Sequence, residues 1–303
     1  DWRQQLGQLH ADCYRQARST ATDPAAGLSH PAQQSRTDST LVLKANASRV
    51  QEALRVIEEF ARTGDAELAR TAASVRYALY DHEVRILEAC GRNLRLQRLD
   101  RSRLCLITDP GGSDCSAEML KRVELALATG VSLVQYRRKQ GTDALRLQEA
   151  RQLAELCQAH QALLIINDRI DLALLVNADG VHLGQDDLPH AAARQLMGPE
   201  KLIGRSTHRL AQLEQAQEEG ADYLGVGAVY ATATKADRTA AGLGWVRDAS
   251  ASARIPWFAI GGINGDNITE VLAAGASRVA VVSAIMGASD PAAAARQLLT
   301  QLD

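Results

Sequence analysis

The chain has 303 residues, 46% hydrophobic and 23% charged, with a formal net charge of −2 at pH 7. That size and composition fit one large soluble domain or two smaller ones. The near-zero charge argues against a protein that holds nucleic acid by bulk electrostatics, and no apolar run approaches the ~20 residues of a membrane span.

The N-terminus is polar and lacks the apolar core of a signal segment. Residues 19–40 are rich in Ser, Thr, Ala, Pro and Gln and read as a long polar loop. An amphipathic helix is expected over Ala47–Ala61, where Val50, Ala53, Leu54, Ile57 and Phe60 share a face. Ala66–Ala89 continues with Leu68, Ala72, Val75, Leu79 and Ile86. No strand pattern interrupts these segments. Residues 1–100 are therefore expected to form a separate helical domain, joined near Asn93–Ser102 to a second domain over 101–303. The cysteines Cys13, Cys90, Cys105, Cys115 and Cys157 form no CxxC pair and read as reduced thiols of a cytosolic protein.

Beyond residue 103 come eight short apolar runs: Leu104–Thr108, Val131–Tyr136, Leu163–Asn167, Gly180–Leu183, Leu202–Ser206, Tyr223–Val229, Pro256–Ile260 and Val279–Ser283. They are apolar throughout rather than alternating, as strands covered on both faces of a parallel sheet are. Helical spacing appears between them at Leu145–His160, Asp168–Val176, Leu210–Glu219, Asn267–Ala274 and Pro291–Leu302, the last capped by Asp290. Eight β-α units in about 200 residues match an α/β fold of the (β/α)8 TIM-barrel type. A doubly wound open sheet is the competitor. Polar residues end nearly every strand, which favours the barrel.

Those strand ends carry the chemistry. Gln135, Arg137 and Lys139 recur at strand spacing and face one side, with Arg138 facing the other. Taken alone, such a run is more often a solvated surface cluster. Asp168 and Asp187 end the third run and follow the fourth. Each suits a helix cap; together, beside a basic segment, they suit a divalent metal that shares a phosphate. Thr232, Thr234 and Lys235 read either as a polar loop or as hydroxyls and a cation over a second anion. Gly261-Gly262-Ile263 and Val282-Ser283 fall where barrels offer backbone N–H groups to phosphate. His182 reads as locally hydrogen-bonded and His208 as a structural histidine. Asp171 and Asp179 read as ordinary helix and turn residues. No Walker loop or Cys/His zinc pattern occurs.

At these residues the chain resembles the thiamine-phosphate synthase (thiamine-phosphate pyrophosphorylase) family, over residues 103–290. The motifs are V-Q-Y-R-R-K at 134–139, I-N-D-R at 166–169, D-G-V-H-L-G-Q-D-D at 179–187, G-R-S-T-H at 204–208, T-A-T-K at 232–235 and I-G-G-I at 260–263. The resemblance implies a (β/α)8 barrel and a transferase. Its substrates would be 4-amino-2-methyl-5-(diphosphooxymethyl)pyrimidine and a thiazole phosphate, its products thiamine phosphate and diphosphate, its metal Mg²⁺. It implies that Gln135, Arg137, Lys139, Asn167 and Lys235 hold the pyrimidine diphosphate and that Asp168 and Asp187 bind Mg²⁺. Ser206 would meet the pyrimidine or the departing diphosphate. Thr232, Thr234, Gly262, Val282 and Ser283 would face the thiazole phosphate. Arg137, Lys139, Ser206 and Lys235 would carry catalysis.

The implied partners are these small molecules, with no nucleic acid and no membrane; a homo-oligomer is compatible with the sequence. Two departures stand out. The family usually has Glu where this chain has Arg138, which would make the mouth more positive, and Pro where it has Ala231. Residues 43–59 look like a helical domain fused to some such synthases and associated with hydroxymethylpyrimidine phosphate kinase activity. No phosphate-binding loop accompanies it, so no second activity is expected. Arg49, Glu52, Arg55 and Glu59 suit surface ion pairs. Two alternatives stay open: a thiazole tautomerase-like enzyme that relies on His208, and a non-catalytic barrel that binds thiamine precursors.

Overall fold

A computed structural model describes residues 39–108, 116–231 and 241–303. Contacts divide the chain into two compact units, 1–91 and 92–303. In the first, α1 (Ser39–Ala61) is followed by α2 (Ala66–Arg101), which runs on into the second unit. Leu54 meets Ala72 and Val75, flanked by Ile57 and Leu79, so parts of the two expected apolar stripes pack on each other. Asp65 caps α2 by accepting the N–H groups of Glu67 and Leu68 at 3.1 and 2.9 Å. Among the described residues the ion pairs of this unit centre on Glu58, and of the expected set Arg49, Glu52, Arg55 and Glu59 it is Glu59 that pairs, with Arg62 at 3.7 Å. Glu58 reaches Arg76 and Arg62, each at 2.8 Å, and hydrogen bonds from Arg76 and then Arg62 hold its carboxyl below the usual range.

The expected junction at Asn93–Ser102 is helical up to Arg101, and the division falls at Gly91 rather than after residue 100. The last turns of α2 have partners in the second unit. Arg92 pairs with Asp222 at 2.7 Å and Arg95 with Asp179 at 3.0 Å. Leu99 is fully buried, with Leu96 beside it. Tertiary contacts of this kind extend a helix past the point where its own periodicity weakens.

The second unit is a closed barrel of eight parallel strands in sequence order. They are β1 (Leu104–Ile107), β2 (Leu133–Tyr136), β3 (Leu163–Asn167), β4 (Gly180–Leu183), β5 (Leu202–Thr207), β6 (Tyr223–Gly227), β7 (Trp257–Ile260) and β8 (Val279–Val281). The helices outside are α3 (Ser116–Leu127), α4 (Asp143–Ala159), α5 (Ile170–Leu175), α6 (His190–Met197), α7 (Leu210–Glu218), α8 (Gly242–Ser252), α9 (Ile268–Ala273), α10 (Ser283–Met286) and α11 (Pro291–Leu302). Asp290 caps α11 by accepting the Ala293 N–H at 2.9 Å, with Pro291 in the first turn.

Period-two alternation survives inside the apolar runs. Val134, Leu164, Val181 and Leu224 face the helices, while Leu133, Leu163, Leu202, Tyr223 and Phe258 fill the interior. Both faces are dry, which is why the runs look uniformly apolar. Leu99 joins the interior cluster, so the end of α2 closes the amino-terminal end of the barrel. Asp179 and Asp222 brace that end. Asp179 accepts the Leu164 N–H at 3.0 Å besides Arg95, which corrects its reading as an ordinary turn residue. Asp222 accepts from Arg92, from Arg194 and from the Ile203 N–H.

Candidate active site

The opposite end of the barrel opens into a cavity of about 300 Å³. Its floor is apolar and aromatic, with Cys105, Ile107, Tyr223 and Phe258. Burial pushes the Cys105 thiol up to about 12, which keeps it neutral and unreactive. Polar groups stand on the walls above. Gln135 and Arg137 come from the β2 end, Asn167 from β3, His182 from β4, and Ser206 and His208 from β5. Gly262, Val282 and Ser283 line the side made by β7 and β8.

Strand register explains the grouping. Gln135 Nε2 donates to Asn167 Oδ1 at 2.8 Å across β2 and β3. Arg137 is buried although it lies beyond β2. Its N–H donates to Thr108 Oγ1 at 2.9 Å, and that hydroxyl donates back to the Arg137 carbonyl at 3.2 Å. A buried guanidinium on a cavity wall suits an anionic ligand. Alternation carries as far as Arg137 and stops there. Lys139 is exposed and does not line the cavity, because β2 ends at Tyr136 and the chain turns away.

Arg138 faces away, as expected, but it does not add charge to the mouth. It pairs with Glu149 of α4 at 2.8 Å, both side chains almost fully buried. Glu149 also accepts from Tyr136 at 2.6 Å and from Ser116 at 2.5 Å. The positive charge inferred from the departure at 138 is therefore neutralised behind the strand.

Asp168 and Asp187 lie outside the cavity lining, Asp168 directly after β3 and Asp187 in the turn that follows β4. The Asp168 N–H donates to the His182 carbonyl at 2.9 Å, and Asp187 Oδ2 accepts the Gly184 N–H at 2.6 Å. Neither is a helix cap. Arg169 occupies that position before α5 and Pro189 before α6. Asp168 is instead in the left-handed region at φ +62, a conformation uncommon outside glycine and enriched at functional sites. Among the described residues no group of three or more His, Cys, Asp or Glu could hold a metal. Two carboxylates at adjacent strand ends nonetheless fit Mg²⁺, which takes one or two protein carboxylates with water and phosphate oxygens. Thr232, Thr234 and Lys235 lie outside the described residues.

The sequence reading left His182 and Tyr223 out of the site and gave His208 a part only in the tautomerase alternative, yet all three line the cavity. His208 Nδ1 donates to the Gly227 carbonyl at 2.6 Å. Strand parity could have found two of them. His182 pairs in register with Asn167, and Tyr223 shares the inward parity of Gly225 and Gly227.

The thiamine monophosphate synthase family model matches residues 104–285, and the ThiD2 family model matches residues 1–85. A thiamine-phosphate synthase of Synechococcus sp. (strain WH7803) is 72% identical over 302 residues, 100% of this chain and 86% of that protein. One of Prochlorococcus marinus (strain MIT 9313) is 56% identical over the same shares of each. The solved thiamine phosphate pyrophosphorylase from Pyrococcus furiosus is 37% identical, with a TM-score of 0.61, covering 69% of this chain and 97% of that one. With a matched barrel and relatives aligned along its whole length, the chain belongs to the thiamine monophosphate synthase family.

Proposed function

We propose that the cavity at the carboxyl-terminal ends of the strands is where this thiamine-phosphate synthase joins its two substrates. The reaction follows from the family: a pyrimidine carrying a diphosphooxymethyl arm and a thiazole phosphate give thiamine phosphate and diphosphate. These relatives do not favour the tautomerase or the idle barrel. The observation that carries the placement is the convergence of Gln135, Arg137, Asn167 and Ser206 from β2, β3 and β5 on one cavity with an apolar, aromatic floor.

The pyrimidine ring fits the floor, with Gln135, Asn167 and Ser206 within reach of its polar edge. Arg137 faces the diphosphate. The C–O bond breaks with its electron pair leaving on the diphosphate, and the aminopyrimidine ring stabilises the methylene cation left behind. The thiazole nitrogen then gives its lone pair to that carbon. Charge grows on the leaving group, so a preorganised guanidinium in a dry site lowers the barrier. Lys139 and Lys235 are assigned to the same charge by resemblance, as Thr232 and Thr234 are to the thiazole phosphate. Gly262, Val282 and Ser283 present the β7 and β8 loops to that phosphate. No general base is required.

Asp168 and Asp187 would hold Mg²⁺, which when bound neutralises phosphate oxygens and orients the diphosphate. Free Cys105 and Cys157 accord with a reducing cytosol, and among the described residues no helix is long and apolar enough to cross a membrane. The test is incubation of the purified chain with both precursors, with Mg²⁺ or with EDTA. Thiamine phosphate should form only with the metal. Asp168→Ala and Asp187→Ala should each lose most turnover while keeping the wild-type circular dichroism. Full activity of the double variant in EDTA would remove the metal assignment.

A further inference from the structure

Three side chains from consecutive strands form a line inside the barrel. The Tyr223 hydroxyl of β6 lies 3.1 Å from His182 Nδ1 of β4, and His182 Nε2 lies 2.9 Å from Ser206 Oγ of β5. Two glycines make the room. A Cβ at Gly204 would stand 2.2 Å from Tyr223 Cζ and 2.6 Å from His182 Nδ1. One at Gly225 would stand 3.2 Å from His182 Cε1. Ser206 is the polar end of the line and borders the cavity.

Proton counting gives the line a direction. Tyr223 is 4% exposed, and burial keeps its phenol protonated. Among the described residues the hydrogen-bond partner of its hydroxyl is His182. Leaving a buried hydroxyl proton without an acceptor is costly, because it has lost water and gained nothing in return. Tyr223 therefore donates to Nδ1, and an Nδ1 that accepts leaves the proton of the neutral ring on Nε2. The Nε2–H donates to Ser206 Oγ. The Ser206 proton then points away from the histidine.

We propose that Tyr223 is a positioning residue which, through His182, sets Ser206 as a hydrogen-bond donor to an acceptor atom of the pyrimidine diphosphate. This rests on the placement of Ser206 at the substrate proposed above. Without the Tyr223 hydroxyl the ring is free to carry its proton on Nδ1, and Ser206 would then spend its proton on Nε2 and meet the ligand as an acceptor.

Two measurements on the full chain test it. In ¹H–¹⁵N correlation spectra of the ligand-free protein, His182, assigned by its loss in His182→Gln, should be the neutral Nε2–H tautomer. Tyr223→Phe should shift it toward Nδ1–H. In turnover, Tyr223→Phe should cost roughly 10–100-fold, the range known for removing the partner that orients a metal-bound histidine, whose ring is held in the same way. In a Ser206→Ala background the same change should cost less than about 2-fold, because the two act as one unit. An Nδ1–H tautomer in the wild-type protein overturns the direction of the line. An equal loss in both backgrounds overturns action through Ser206. Unchanged turnover of Ser206→Ala overturns the placement of Ser206 at the substrate, and with it the donor role, whatever the tautomer.

Discussion

Arg137 and Arg138 are adjacent and carry the same charge, yet they live in different environments. Arg137 lines the cavity, while Arg138 is locked against Glu149 with Tyr136 and Ser116 around it. Arg137→Ala should cost roughly 10²–10³ in turnover if the guanidinium stabilises leaving-group charge, with Tm close to that of the wild type. Arg138→Glu should do the reverse. Two carboxylates would face each other in a buried space, and loss of one partner of a buried pair costs about 3–5 kcal/mol. The expected readout is a marked fall in Tm. A variant that melts like the wild type would show that Glu149 finds other donors. Strand alternation alone, which points Arg138 away from the cavity, would make Arg138→Glu a mild change. The sequence gives the parity of Arg138 but not the partner, because Glu149 lies on a helix whose rotation against β2 is set by packing.

At the scale of elements, legibility tracks how local the cause is. Eight strands were readable because both faces of each are covered, which leaves short Val/Ile/Leu runs bounded by polar residues. The cap of α11 was readable because Asp290 and Pro291 act within one turn. Lys139 marks the limit of strand parity: β2 ends at Tyr136, so the alternation that brings Gln135 and Arg137 to the cavity does not fix where Lys139 lies. The end of α2 was missed for a different reason: Arg92, Arg95 and Leu99 are held by Asp222, Asp179 and the barrel interior, partners remote in sequence. This makes Leu99 a core residue of the barrel. Leu99→Ala should destabilise it by about 2–5 kcal/mol, the range for a fully buried leucine. Chemical denaturation followed by Trp245 and Trp257 fluorescence would read this, since both tryptophans belong to the barrel unit. A loss below 1 kcal/mol, the ordinary scale of a surface change, would mean that the helix end frays from the barrel.

For the whole molecule, the question is how much of the chain the reaction needs. Every described residue that lines the cavity lies beyond position 92, and so do both metal-ligand candidates. The inner core draws on Leu96 and Leu99 but on nothing earlier among the described residues. We therefore propose that residues 92–303 fold and form thiamine phosphate without the first unit. A cut after residue 100, where composition alone would place it, should behave differently. It removes Leu96, Leu99 and the two arginines that neutralise Asp179 and Asp222, so it leaves the buried Asp222 and the half-buried Asp179 with fewer partners and an opening in the core. The comparison is turnover per folded molecule for 92–303 and 101–303, with folding measured by circular dichroism and thermal melting. The longer piece should match the full chain, and the shorter should melt lower or not fold. If the longer piece folds but is inactive, residues 1–91 contribute to the site. If both pieces are equally stable, the end of α2 is dispensable to the barrel.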